Sequence, residues 1–365
     1  MKDQVLSINS LLQEQYEDLE PKVRKLFPTP EIFNFQKIIL TGAGDSYAAA
    51  LVGKFYLERF AGLQTEVVSA IDLSRNYQKE TLYFSPQNPL VIAISNSGNV
   101  ARIGEALART KNWGAYNVAI TANIDSAVGK QCERHLVTEI PKMASSPGVR
   151  SYLVNVLALI LLAIRLGEVK GKITMDQASE LRENLHNLSC DLLTIEKTID
   201  RLTPTWAQYT GYDFIGDGSD FGNVLYGSAK ILEAAGKYSM YVNTEEWLHL
   251  NFFLRKHQTT GTILFINQQN AGFSREKEVL EYIEKLERPA LVITDTDLTI
   301  RNEKITIIKF EKNIFHPLLQ WVPAAFLASN IAVEIGEEDG RGTKGPWAFA
   351  RNGAAVQKSK IVKIE

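Results

Sequence analysis

The chain has 365 residues, 45% hydrophobic and 22% charged, with 40 basic and 42 acidic side chains for a net charge of −2. Such a chain is globular, long enough for two domains, and has no global positive field for nucleic acid. With only two cysteines (Cys132 and Cys190, not in a CxxC pair) and five scattered histidines, a disulfide scaffold and a structural zinc site are both excluded as expectations.

Met1 to Leu12 mixes charged and polar residues and predicts no signal peptide. Asn9 to Leu26 predicts a helical segment broken at Pro21. Ile39 to Tyr47 reads as a buried strand, a Gly-rich turn and the start of a helix. Val91–Ser95, Asn117–Thr121 and His135–Ile140 read as further strands, and Tyr152–Leu166 as a long apolar helix. Within that helix the run Val154–Ile164, interrupted by Asn155, is too short to span a bilayer. Thr174 to Leu202 is polar with helical period, and Pro204 is expected to end it. The second half repeats the order: Asp213–Phe221, Thr262–Asn267, Ala290–Thr294, Lys304–Phe310, and the apolar helix Leu318–Ile335. The tail after Gly336 is Gly-rich and basic, and reads as mostly irregular.

The two halves are a repeat. Ile39–Tyr47 aligns with Asp213–Phe221 at an offset of 174, which also pairs Gly42 with Gly216, Gly44 with Gly218, Leu51 with Leu225, Gly53 with Gly227 and Gly62 with Gly236. Strands alternating with helices imply parallel βαβ units with helices on both sheet faces. The expected division is an N-terminal helical segment (1–35), a first α/β domain (36–170), a connecting helix (171–204), a second α/β domain (205–340) and a tail (341–365).

A Gly-rich turn entering a helix presents free N–H groups to an anion. The dinucleotide fingerprint fails, because Tyr47 and Phe221 stand where its sixth position needs Gly or Ala, and no P-loop motif occurs. Ile94-Ser95-Asn96-Ser97-Gly98-Asn99 instead places short polar side chains where a core strand enters a helix. That pattern suits a phosphate monoester as well as a plain Ser/Asn helix cap. Gly44 and Ser46 on the first turn could reach the same anion. The second-half equivalent, Ile266 to Asn270, has no serine or glycine, so one phosphate site per chain is expected, in the first half.

Lys230 and Glu233 lie three apart on the helix after Gly218, among apolar neighbours, with Glu246 and His249 downstream at the same spacing. A solvated ion pair and a core histidine are the plain readings. However, the repeat places Tyr56 and Arg59 opposite Lys230 and Glu233, so the fold itself does not require the pair.

The duplicated GxGxS turn, Ser95-Asn-Ser-Gly98, and the stretch Gly227 to His249 resemble the sugar isomerase (SIS) domain family. The resemblance is to its tandem members, which are similar to the isomerase half of glucosamine-6-phosphate synthase. It implies two tandem flavodoxin/Rossmann-like SIS domains with parallel sheets flanked by helices. It also implies phosphate binding by Gly44, Ser46, Ser95, Asn96 and Ser97, and proton transfer between C1 and C2 by Glu233. Lys230 and His249 would assist ring opening and the enediol, with His249 reaching in from the neighbouring subunit of a homodimer. A tail lysine would close over the substrate, for which Lys360 is the candidate and Lys358 its competitor. The chain departs from the family at Val100, where a threonine is usual, at Asp45, and at Gly148-Val149-Arg150, where Ser-Thr-Lys is usual. No glutaminase domain or N-terminal catalytic cysteine is seen.

The expected function is a cytoplasmic phosphosugar isomerase or deaminase of amino-sugar metabolism, acting on a hexose or aminohexose 6-phosphate. Alternatives are a fructosamine-6-phosphate deglycase and a non-catalytic sugar-phosphate regulator. No metal or redox cofactor, nucleic-acid partner or membrane is implied.

Overall fold

A computed structural model describes residues 1–82, 89–338, 340–353 and 355–362. Ten strands form two five-stranded sheets. The first holds β1 (Lys37–Gly42), β2 (Gln64–Ser69), β3 (Leu90–Ile94), β4 (Tyr116–Thr121) and β5 (Arg134–Val137), in the order β2-β1-β3-β4-β5. The second holds β6 (Gly211–Ile215), β7 (Tyr238–Val242), β8 (Thr260–Ile266), β9 (Ala290–Thr294) and β10 (Ile305–Lys309), in the order β10-β9-β8-β6-β7. Every pairing is parallel. Read from its first strand, each sheet has the same doubly wound order, so the internal repeat is a repeat of topology. Every residue of β1, β3, β6, β8 and β9 is buried, as expected of parallel strands covered by helices on both faces.

The chain divides into two compact units, and not as contiguous halves. The unit carrying the first sheet comprises Ile8–Met143, Arg150–Leu188 and Gly342–Glu365. The unit carrying the second comprises Met1–Ser7, Ala144–Val149 and Ser189–Arg341.

Two of the repeated glycines show what the repeat preserves. Gly44 and Gly218 have φ of +57° and +52°, left-handed values that let each turn swing from strand into helix without a Cβ clash. At Gly53 and Gly227 the need is for space. A Cβ would come within 2.5 Å of Leu159 at the first and of Phe214 at the second.

Several expectations change. Pro21 does not break its helix, which runs Ile8–Leu26, and Pro204 lies inside the helix Leu192–Trp206 rather than ending one. Both prolines are exposed, as are Glu17 and Asp200, four residues earlier. Water can therefore take the carbonyls that the prolines leave unbonded, while the buried faces hold the helices in place. The stretch Thr174–Leu202 is two helices, Met175–His186 and Leu192–Trp206. The first is capped reciprocally by Thr174 and Gln177, the second by Asp191. The tail contains 3-10 turns at Arg341–Thr343 and Gly345–Gly353, so it is less irregular than expected. The apolar helix of the first unit extends over Arg150–Val169, long and apolar enough to cross a membrane, yet 83% of its most apolar window is buried within the protein. It serves as a core helix.

Candidate active site

In a sheet of order 2-1-3-4-5 the chain leaves β1 and β3 in opposite directions, and the crevice between their carboxyl ends is the usual ligand position. In the first unit, Gly44–Ser46 follows β1 and Ser95–Ser97 follows β3, so the two candidate phosphate turns flank that crevice.

The Ser95 turn is tightly built. Ser95 N–H donates to Ile120 O at 2.9 Å, Gly98 N–H to Ser95 O at 3.0 Å and Ala122 N–H to Asn96 O at 3.1 Å. Gly98 has φ of +67°, and a Cβ there would lie 2.0 Å from Ser126 Oγ, so the turn requires glycine twice over. Among the described residues no hydrogen bond engages the N–H groups of Asn96 or Ser97. Both side chains are exposed, and Ser97 Oγ accepts from Asn99 N–H at 3.4 Å. Ser95 is 3% exposed, and its Oγ is buried with no hydrogen-bond partner. A buried hydroxyl without a partner is costly. The hydroxyls of Thr41, at the end of β1, and Thr138, just past β5, are orphaned in the same way. Unsatisfied polar groups thus collect along the carboxyl edge of this sheet. Ser46 is half-buried at the start of the Asp45–Ala61 helix, beside Asp45. Val100 packs against the unit's apolar core, which is why a hydrocarbon serves where a hydroxyl is usual.

The second unit fills the equivalent crevice from within. Asp220 stands at the position of Ser46, and Asn267 follows β8 as Ser95 follows β3. Asn267 Nδ2 donates to Asp220 Oδ2 at 2.6 Å and to Gln320 Oε1 at 2.7 Å, while its N–H donates to Glu276 Oε2 at 3.0 Å. Asn270 Nδ2 donates to Glu276 Oε1 at 2.7 Å, and His316 Nε2 lies 3.3 Å from Asp220 Oδ1. Burial, with Asp220 close by, pushes the Glu276 carboxyl up to about 9. Burial opposes the charged form of His316, but the Asp220 carboxylate outweighs it and raises its pKa. The crevice is thus occupied by carboxyl and amide side chains bonded to one another, and has no counterpart of the Ser95 turn.

The same unit carries the acid–base pair, on the helix Phe221–Ala235. Lys230 is wholly buried, and its Nζ lies 2.5 Å from Glu233 Oε2, whose side chain is 45% exposed. The ammonium also lies over the Tyr226 ring at 5.0 Å, a favourable cation–π placement. The Tyr226 hydroxyl donates to Gly148 O at 3.0 Å, and its ring meets Trp321 edge-on at 5.2 Å. Tyr226 was missed by the sequence reading, although its spacing of four from Lys230 put both on one helical face. The arrangement holds a buried cation against a carboxylate that is open to solvent on one side. Such a pair can pass a proton at the carboxylate and stabilise a neighbouring oxyanion with the ammonium.

His249 is placed apart from that pair. It ends the short helix Thr244–His249, and its Nε2 lies 3.2 Å from Glu245 Oε1, with the imidazole side chain 68% exposed. Lys360 and Lys358 are exposed in the tail. Arg150 starts the long first-unit helix and donates to Pro141 O. Among the described residues no group of three or more His, Cys, Asp or Glu is placed to hold a metal.

The first unit's parallel sheet, of order β2-β1-β3-β4-β5 with helices on both faces, defines a flavodoxin-like α/β class. Residues 31–165 match the family model described as SIS domain. The glutamine–fructose-6-phosphate aminotransferase (isomerizing) of Clostridium tetani is 23% identical over 306 residues, covering 82% of this chain and 49% of the relative. The chain thus spans about half the length of the curated relatives it matches. The C-terminal domain of glucosamine-fructose-6-phosphate aminotransferase from Francisella tularensis superposes with a TM-score of 0.81 at 14% identity, covering 92% of this chain and 96% of that one. Glucosamine-6-phosphate deaminase from Thermotoga maritima gives a TM-score of 0.72 at 20% identity, covering 93% and 97%. Both likenesses are of the fold, which in this chain is two parallel five-stranded sheets flanked by helices.

Proposed function

We propose that the chain is a phosphosugar isomerase or deaminase that moves a proton between C1 and C2 of a hexose or aminohexose 6-phosphate. The observation that carries this reading is the wholly buried Lys230 ammonium held 2.5 Å from the half-exposed Glu233. The repeat gives Tyr56 and Arg59 at these positions in the other half, so the pair is an addition to the fold and not a requirement of it. The Gly44–Ser46 and Ser95–Ser97 turns take the phosphate, and the orphaned Ser95 hydroxyl gains its partner there. Glu233 removes the proton from one carbon and returns it to the next. Lys230 stabilises the enediol or enolamine oxygen as charge develops, and Lys360 closes from the tail.

His249 acts from a second copy in a homodimer. Its exposure, beside Leu250 and Phe253 at 57% and 73% exposed, supports a surface that another subunit covers. The enzyme works in the cytoplasm without a metal or redox cofactor.

The test is a panel of hexose, hexosamine and fructosamine 6-phosphates in deuterated water, read by NMR. Exchange at C1 or C2 with sugar interconversion identifies an isomerase. Released ammonia identifies a deaminase, and a released amino acid a deglycase. Tight binding without exchange for every member would replace the enzyme with a sugar-phosphate sensor.

A further inference from the structure

The helix Ala101–Asn112 begins three residues past the Ser95–Gly98 turn. Three main-chain atoms of the tail are fastened to its first turn and a half. Ala101 N–H donates to Val356 O at 3.0 Å. Arg102 Nη2 donates to Lys360 O, and Val362 N–H donates to Glu105 Oε2 at 2.8 Å. The fastening does not involve tail side chains, so the Lys360 side chain stays free of it and exposed.

Glu105 is the centre of this arrangement. It is only 5% exposed, and a buried carboxylate survives only when its lone pairs are used. Arg75, from the turn Asp72–Asn76, donates to both carboxylate oxygens, and Arg102 Nη1 donates to Oε2 at 2.7 Å. The Val362 N–H adds a further donor. Burial opposes the charged form, but the bonds from Arg75 and Val362 and the charge of Arg102 outweigh it and hold the carboxyl below its ordinary value. Arg102 therefore touches the tail and also braces the carboxylate that touches it.

We infer that Glu105, braced by Arg75 and Arg102, is a latch that fastens the backbone of residues 356–362 to the helix behind the phosphate turn and so sets the position of Lys360. Glu105 and Arg102 are positioning residues. The link to Lys360 as a site residue rests on the function proposed above, whereas the latch itself does not. Because the bonds are to main-chain atoms, the latch reads the path of the tail and not its sequence. Releasing it leaves the same lysine on an untethered segment.

The test compares wild type with Glu105→Ala and Arg102→Met. Trypsin needs an extended, unbonded stretch around its cleavage site, so Lys358 and Lys360 in a latched tail are poor sites despite their exposed side chains. Glu105→Ala is expected to speed cleavage after both lysines at least about ten-fold and to raise deuterium uptake across 356–362, with uptake in the strands unchanged. Arg102→Met, which keeps the carboxylate, should do the same to a smaller degree. It also serves as the deciding variant if Glu105→Ala fails to melt cooperatively. Wild-type cleavage and uptake in a folded variant would overturn the latch. On the substrate that the panel identifies, Glu105→Ala should lower kcat as far as Lys360→Met does, and the double variant no further. An additive loss would overturn the coupling to Lys360. If wild type turns over no member of the panel, the proposed function fails while the proteolysis and exchange results still decide the latch.

Discussion

Replacing Glu233 with glutamine tests the acid–base pair on two scales at once. At 2.5 Å and an effective dielectric constant of about 20, the gross attraction is roughly 7 kcal/mol, most of it offset by desolvation of the ammonium. Removing one partner of a fully buried pair costs about 3–5 kcal/mol. Here the carboxylate is 45% exposed, so water already screens it, and we expect Glu233→Gln to destabilise by about 1–2 kcal/mol. Lys230→Met in the same background should recover most of that loss, since no buried charge is then left unpaired. The catalytic effect should be larger. Glutamine keeps shape and hydrogen-bond reach but cannot accept a proton, so turnover should fall by about 10²-fold or more, with sugar-phosphate affinity little changed. Differential scanning calorimetry reads the first effect, and C1/C2 hydrogen exchange in deuterated water reads the second. Wild-type exchange in Glu233→Gln would refute the assignment of the base. Equal stability of wild type and both variants would refute the electrostatic account of the pair.

Ser95→Ala removes a buried hydroxyl that has no partner, so the unliganded protein should keep or slightly gain stability. Its affinity for sugar phosphates should fall by about 1.5–3 kcal/mol, the worth of a charge-assisted bond; paired thermal-shift and calorimetric titrations would show both, and unchanged affinity would remove Ser95 from the site. Inactive His249→Ala and inactive Glu233→Gln chains, mixed, should recover activity as hybrid dimers with one intact site. No recovery in verified hybrids would place His249 in its own chain's site or outside catalysis. Glu276, held near 9 by burial, and His316, raised by Asp220, both bind protons more tightly folded than unfolded. Stability should therefore fall as pH rises from about 4.5 to about 9, and Glu276→Gln should flatten that slope in melting curves. Parallel curves would show that Glu276 titrates normally.

Most of the fold could be read from the sequence because its central strands are continuous apolar runs. Ala290–Thr294 matches β9 residue for residue, and the others differ by a few residues at their ends. The two missed strands, β2 and β7, lie at sheet edges. Half-exposed sequences such as Gln64-Thr-Glu-Val-Val-Ser69 carry no long apolar signal. The repeat could have exposed them, since Gln64 and Tyr238 stand at the same offset of 174 as the glycines. Pro21 and Pro204 misled because a proline ends a helix only where its orphaned carbonyl cannot reach water. In the candidate site, Lys230, Glu233 and the Ser95 turn were legible as polar residues in apolar or turn settings. The Glu105 latch and the Asp220–Asn267–Glu276–His316 network were not. Their partners come from distant parts of the chain, and only packing brings them together.

The filled crevice of the second unit bears on how the two copies of one fold can diverge. In the second copy, amide and carboxyl side chains bond one another across the strand ends. The first copy leaves the Ser95, Thr41 and Thr138 hydroxyls without partners among the described residues. The second copy places a buried lysine on the helix that follows its first turn, where the first copy has a tyrosine. The two copies thus use one topology differently: one leaves hydroxyls unbonded at its strand ends, while the other links carboxyl and amide side chains there and carries a buried charge on a neighbouring helix.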